Sequence, residues 1–261
     1  MRLCVKIGGA LLERPHGRSA LAQAIADART NGHEVLVVHG GGAQIGQVAN
    51  RLGLIERRHE GLRITDDDTA RVVTWVLAGE VNKGLVDALR RSGITAVGLT
   101  GADLDLFTPR TKTAAGVDLG WVGELTAADV RPAALEPLFA AGFVPVVATI
   151  GPSSEAGEPF LNVNADEAAG PLAAACGCQE LIVLSDVPGV HGTDGQVIQR
   201  LNTAEVSRLI EAGVIRDGMI PKVRAALAAL ESGVSRVRVL DGNGPDPIGA
   251  ALAGSGTEFH R

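Results

Sequence analysis

A chain of 261 residues, 46% hydrophobic and 21% charged, is long and apolar enough to bury a full core as one large or two small domains. Its formal net charge of −6 argues against nucleic acid or a membrane surface as the main partner, so any anion site has to be built from locally placed lysines, arginines and backbone amides. The three cysteines, Cys4, Cys176 and Cys178, are odd in number and lack a Cys-x-x-Cys spacing, which leaves buried reduced thiols rather than a disulfide framework or a zinc knuckle.

In chain order the first element is a strand over 3–7. Residues 1–7, interrupted by Lys6, are too short for a signal peptide, and no run of about 18 apolar residues exists for a membrane helix; a cytoplasmic location is expected. Leu3, Val5 and Ile7 point one way and Cys4 and Lys6 the other, placing Lys6 at the carboxyl end of the strand, where open α/β sheets bind ligands. Spacing alone does not choose between a lysine reaching solvent and one facing a ligand. The glycine pair Gly8-Gly9 closes this strand.

Helical periodicity follows over 19–30 and a second apolar strand over 35–38, which breaks into Gly40, Gly41 and Gly42 before a helix over 43–53. Three glycines in a row exceed what a tight turn needs. Backbone N–H groups left uncovered there, with a helix start behind them, form an anion site. A long amphipathic helix is expected over 67–91, with Val72, Val73, Val76 and Leu77 near helical spacing; the stripe could face a twofold mate or cover its own sheet.

Strands are next expected over 96–99, 144–148, 181–184 and 237–240, and helices over 132–141, 165–176, 203–212 and 221–232. The strands are rich in Val, Ile and Leu and mostly too continuous to have a polar face, so helices should cover both sides of a largely parallel sheet, a three-layer αβα sandwich. Two stretches break the rhythm, 101–130 and 151–164, and loops or hairpins of that length in a compact domain are often lids or binding elements. No repeat, low-complexity tract or flexible linker is visible, so two halves would share one continuous sheet.

Common nucleotide motifs are excluded by spacing. His39-Gly-Gly-Gly-Ala43 is followed by Gln44-Ile45 rather than Lys-Ser/Thr, so it is not a P-loop. A dinucleotide fingerprint would need glycine at 45, which is Ile. The His-Glu-x-x-His and Gly-x-Ser-x-Gly patterns are also absent.

Six separated pieces remain: Lys6-Ile-Gly-Gly9, Val38-His-Gly-Gly-Gly42, Gly61-Leu-Arg-Ile-Thr65, Leu161-Asn-Val-Asn-Ala-Asp166, Leu184-Ser-Asp-Val-Pro-Gly189 and Asp217-Gly-Met-Ile-Pro-Lys222. In this order, over about residues 2–258, they resemble the amino acid kinase superfamily. The third and fourth pieces resemble its acetylglutamate branch more than the aspartate, carbamate or uridylate branches.

The resemblance implies ATP-dependent phosphorylation of the γ-carboxylate of N-acetyl-L-glutamate in arginine biosynthesis, with Mg²⁺ held mainly by the nucleotide phosphates. It implies catalytic roles for Lys6 and Lys222, held in position by Asp166, and a substrate site at Gly41, Gly42, Arg63, Asn162 and Asn164. It assigns phosphate and nucleotide contacts to Gly8, Gly9, Gly40, Ser185, Asp186, Gly189 and Met219, and no protein-held metal. Residues 1–165 would bind acetylglutamate and 166–261 ATP, in one continuous domain.

Bland readings stand beside several of these. Arg63 is by itself a surface arginine, Asn162 and Asn164 loop residues before a helix, and Asp166 a carboxylate suiting a helix start. Lys222 at a helix start is locally unfavourable unless an anion lies nearby, which favours function. Two further readings keep the fold: a kinase for an aminoadipate or glutamate linked to a carrier protein, towards which Arg57-Arg58-His59 leans, and a ligand sensor without activity, against which the paired lysines argue. Arginine-inhibited relatives carry an added N-terminal helix, whereas this chain enters its first strand at Leu3; a homodimer insensitive to arginine is therefore expected.

Overall fold

The apolar run after Arg2 becomes a strand buried from its second residue onward, β1 (Arg2–Ile7), at the middle of a large sheet. The computed structural model describes residues 1–13, 15–154 and 159–261, so part of the 151–164 stretch lies outside the described residues. The further strands are β2 (Glu34–His39), β3 (Arg58–His59), β4 (Leu62–Arg63), β5 (Ala96–Leu99), β6 (Arg110–Thr111), β7 (Val122–Glu124), β8 (Val144–Ala148), β9 (Ile150–Gly151), β10 (Leu161–Val163), β11 (Glu180–Ser185), β12 (Arg200–Leu201), β13 (Arg236–Asp241) and β14 (Thr257–Phe259). The α-helices are α1 (Pro15–Thr30), α2 (Gly42–Arg51), α3 (Asp67–Thr74), α4 (Asn82–Arg91), α5 (Glu136–Ala140), α6 (Ala165–Ala175), α7 (Thr203–Glu211), α8 (Met219–Glu231) and α9 (Pro247–Leu252).

Among the described residues, eight strands form the central sheet in the order β12-β14-β13-β11-β1-β2-β8-β5. Every pairing in it is parallel except β13 with β14. Strand alternation divides the core in two. Cys4, Leu36, Val38, Leu181 and Val183 face a layer with Leu172 of α6 and Val223 of α8, whereas Leu3, Val5, Val35, Val37 and Ile182 face Leu21 and Ile25 of α1 and Leu85 of α4. This is the three-layer αβα sandwich expected from the alternation of elements. Strands drawn from before and after residue 165 belong to the same sheet.

The long helix expected over 67–91 is interrupted by a π-helical segment, Trp75–Val81, between α3 and α4. The apolar positions explain it. Val73, Leu77, Val81, Leu85 and Leu89 are all buried at steps of four, and on an α-helix each such step overshoots a full turn by about 40°. Over four steps the stripe would swing to the opposite face. A segment with i→i+5 bonds turns less per residue and brings it back.

Other boundaries shifted for local reasons. Helix α1 begins four residues before the expected start, and 132–141 holds a 3₁₀ turn and only five α-helical residues, broken up by Pro132 and Pro137. Helix α9 and strands β12 and β14 were too short to register as patterns. The interrupting stretches supply a second sheet, β6-β7-β10-β9. The β3–β4 hairpin joins it through Thr65, whose carbonyl accepts from Trp121 N–H at 2.7 Å.

Candidate active site

At the carboxyl edge of the central strands, Lys6 leaves β1 on the same side as Cys4 and meets the start of α6. Its Nζ is 2.6 Å from Asp166 Oδ1, and Lys222 Nζ is 3.5 Å from Asp166 Oδ2. One carboxylate therefore holds two cations. Close packing of α6 on α8 brings Asp166 and Lys222 together: a Cβ on Gly170 would lie 2.8 Å from the Cβ of Ala229, closer than side chains tolerate. Helix α8 starts two residues earlier than expected, so Lys222 is its fourth residue, with Pro221 in the first turn, where proline is tolerated.

Burial would raise the Asp166 carboxyl, but Lys6 and then Lys222 outweigh it and hold it below the usual carboxylate range. Burial lowers the pKa of Lys6 and repulsion from Lys222 adds to that, with Asp166 offsetting part. The arrangement is short of negative charge for its two lysines. An incoming anion would supply it.

The two glycine turns touch. A Cβ on Gly9 would stand 2.9 Å from Gly42 N and 3.0 Å from Gly41 Cα, so only glycine lets the turns meet. Gln44 ties them by donating from Nε2 to the Gly9 carbonyl at 3.0 Å. The N–H groups of Gly9, Gly41 and Gly42 make no backbone hydrogen bond among the described residues, and those of Gly41 and Gly42 belong to the start of α2, whose dipole favours an anion.

Arg63 leaves β4 into the same cleft and is nearly buried, at 7% exposure. It bonds the Gly42 carbonyl from Nη2 at 2.9 Å and pairs with Glu56 Oε2 through Nη1 at 2.9 Å. Asn162 of β10 faces the cleft and approaches Thr65 Oγ1 at 3.5 Å. Asn164 lines the cleft too, but its Oδ1 caps α6, accepting from Asp166 N at 2.9 Å and Glu167 N at 3.4 Å; only its amide nitrogen is left for a ligand.

Gly8, Gly40, Ser185 and Asp186 line the cleft beside the lysines, with the Ser185 hydroxyl donating to Asp186 Oδ1 at 3.1 Å. Gly189 and Met219 do not line it. Gly189 has a φ of 149° and packs against Thr257 and Val197, while Met219, the first residue of α8, packs on the core layer. Sequence reasoning missed Glu56, Gln44 and Thr149, the last a buried threonine in the cleft wall. Gln44 follows the glycine triple by two residues and in the sequence serves only to rule out a P-loop, whereas Glu56 and Thr149 sit in no motif and the fold brings them to the cleft.

A doubly wound sheet with a cationic, glycine-lined cleft at the carboxyl ends of its strands defines an α/β enzyme built to handle a charged, phosphate-like group. Residues 1–241 match the family described as the amino acid kinase family. The acetylglutamate kinase of Acidobacterium capsulatum is 44% identical over 240 residues, covering 92% of this chain and 90% of that protein. Among solved structures, smu.665 from Streptococcus mutans superposes with a TM-score of 0.82 at 26% identity, covering 99% of this chain and 98% of that one. The N-acetylglutamate synthase of Neisseria gonorrhoeae, solved with coenzyme A and N-acetyl-glutamate, superposes with a TM-score of 0.83 at 25% identity, covering all of this chain and 59% of the synthase. The chain belongs to the amino acid kinase family and, within it, to the acetylglutamate kinases.

Proposed function

We propose that this chain transfers the γ-phosphoryl group of ATP to the γ-carboxylate of N-acetyl-L-glutamate, giving N-acetyl-L-glutamyl 5-phosphate and ADP in arginine biosynthesis. The observation that carries the reading is the Asp166 carboxylate holding Lys6 and Lys222 beside the joined glycine turns. The acceptor carboxylate is ionised at neutral pH, so it is itself the nucleophile and needs no general base. One of its oxygens forms the new bond to phosphorus, the bond from phosphorus to the β–γ bridging oxygen breaks, and that electron pair leaves on ADP.

Catalysis is then positioning plus charge stabilisation. Lys222 would neutralise the bridging oxygen, Lys6 the transferring oxygens, and the amides of Gly9, Gly41 and Gly42 would surround the same group. A lysine about 4 Å from a developing charge contributes roughly 4 kcal/mol at an effective dielectric of about 20. Residues 1–165 would supply the acceptor site, with Arg63 on the α-carboxylate and Asn162 on polar groups of the substrate. Residues 166–261 would supply the nucleotide site, with Ser185 and Asp186 near the ATP phosphates.

Both oxygens of Asp166 are taken by lysines and Asp186 is the other carboxylate of the cleft. That donor set suits Mg²⁺ carried on ATP phosphate oxygens, where it would neutralise charge. The carrier-protein reading is favoured less because the acetylglutamate kinase of Acidobacterium capsulatum is 44% identical over 92% of this chain, although Arg57 and Arg58, paired with Asp66 and Glu56, still bring positive charge to the mouth. A sensor would not need two lysines on one carboxylate.

A homodimer belongs to the same proposal, supported by Trp75, exposed at 62%, on the π segment and by Leu52 and Ile55 exposed beside α2. A reducing, cytoplasmic compartment suits three free, buried thiols; among the described residues no helix is long and apolar enough to cross a membrane. Hydroxamate trapping with ATP, Mg²⁺ and a panel of carboxylates tests the reaction. Acyl phosphate is expected from N-acetyl-L-glutamate in preference to glutamate, aminoadipate and N-acetylaspartate, and a chain that phosphorylates none of them contradicts the reading.

A further inference from the structure

His39 ends β2 beside the glycine triple and is completely buried, yet both of its ring nitrogens are engaged. Nδ1 is 3.1 Å from the Gly40 carbonyl and Nε2 is 3.0 Å from Asn82 Nδ2. The Asn82 amide is oriented by its other partners: Nδ2 donates to Val146 O at 2.9 Å, and Oδ1 accepts from Lys83 Nζ at 3.2 Å. Since an NH₂ group only donates and a carbonyl only accepts, the ring must carry its proton on Nδ1 and a lone pair on Nε2. Burial keeps the imidazole neutral, with its pKa pushed down to about 4, and Lys83 acts in the same direction.

This chain of bonds ends in the cleft. The Gly40 carbonyl and the Gly41 N–H belong to one planar trans peptide and point in opposite directions, so holding the carbonyl against His39 fixes where the amide aims. The loop is also clamped from beneath. A Cβ on Gly41 would lie 2.7 Å from Leu77 Cδ2 and 3.0 Å from Val81 Cγ2, both of the π segment that delivers Asn82 to His39. On the far side Gly98 of β5 leaves the room that Asn82 occupies, since a Cβ there would collide with Asn82 Oδ1. A buried polar chain costs desolvation that apolar side chains would avoid, and here its end bears on a peptide whose N–H makes no backbone hydrogen bond among the described residues.

We infer that His39 and Asn82 are a positioning pair that aims the Gly41 amide at the phosphoryl group under transfer, an inference that rests on the kinase reading of the site. Neither touches substrate. Their effect is therefore on how well a fixed dipole meets the charge that develops, and it should appear in kcat more than in KM.

Two measurements test it. Imidazole nitrogen shifts of ligand-free, ¹⁵N-labelled protein should show His39 neutral at pH 7 with Nδ1 protonated; a ring protonated on Nε2 instead overturns the pairing without any assay of turnover. In kinetics with ATP and N-acetyl-L-glutamate, His39→Leu and Asn82→Leu should lower kcat by about 10- to 100-fold while both KM values stay within about threefold. His39→Asn, which keeps an N–H donor near the place of Nδ1, should recover most of the loss, whereas His39→Gln should not. Unchanged kcat in folded His39→Leu, or equal rates in the Asn and Gln variants, would overturn the inference. The Asn and Gln pair decides it if the leucine variants do not fold. A wild-type protein that forms no acyl phosphate counts against the kinase reading, while the ring tautomer still decides the pairing.

Discussion

Lys6 Nζ lies 2.6 Å from Asp166 Oδ1, although 160 residues separate the two in sequence. The contact joins the end of the central strand to the start of the helix that covers it, and the second carboxylate oxygen extends it to Lys222 on α8. Catalytic charge and the packing of sheet and helices are therefore linked through one side chain. Substitutions there should be felt in both stability and rate.

Asp166→Asn should cost about 3 kcal/mol at pH 7, because it leaves buried Lys6 without its counter-ion, and should lower kcat by about 100-fold. The pH dependence follows from the direction of the shift. The folded Asp166 carboxyl lies below its ordinary value, so its stabilisation is complete above the unfolded carboxylate pKa near about 4 and is lost as pH falls through the folded value. Urea unfolding of both proteins should show a gap that is full at pH 7 and closes progressively as pH falls below the ordinary carboxylate range. A gap of the same size at pH 7 and in acid would contradict the ion-pair origin.

Lys222→Ala and Lys6→Met should each lower kcat by a factor on the order of 10² to 10³ with smaller changes in KM for N-acetyl-L-glutamate. Methionine is chosen at position 6 because the lysine stem is buried there. A folded Lys222→Ala enzyme of near-normal rate would remove that lysine from the mechanism.

Arg63→Lys should raise the KM for N-acetyl-L-glutamate by about tenfold or more and lower kcat less. An ammonium cannot hold Gly42 O and Glu56 together and still offer a planar pair of donors to a carboxylate. Substrate titration with ATP saturating reads this directly, and an unchanged KM would place the α-carboxylate elsewhere.

Gly9→Ala should be almost inactive although the chain still folds. Its new methyl would meet Gly42 N and Gly41 Cα, which cannot yield without opening the joined turns. The expected loss is about 100-fold or more in kcat against about 1–3 kcal/mol in stability. Full activity would mean that the two turns do not serve the same group.

Trp75→Glu should convert a homodimer to a monomer in light scattering with little loss of thermal stability, since the indole is mostly exposed in the single chain. A wild-type protein that is monomeric at micromolar concentration would contradict the proposed assembly.

Much of this protein is readable from local pattern. The largely apolar runs at β1, β2, β8 and β11 require burial on both faces, and their alternation with helices requires parallel crossovers. Alternation within β1 places Lys6 at the carboxyl edge and away from Ile7, and the glycine triple announces uncovered amides at a helix start. These features depend on neighbours in sequence, whose geometry is set by backbone periodicity. Tertiary structure alone decided the rest. The stripe from Val73 to Leu89 has a period between those of regular helices, and only packing against the sheet and the glycine loop shows that a π segment absorbs the mismatch. The meeting of Gly9 with Gly42, the bonds of Asp166 to both lysines and the link from Asn82 to His39 join residues far apart in the chain. No periodicity encodes a distance across a packed interior; close packing of the layers sets it.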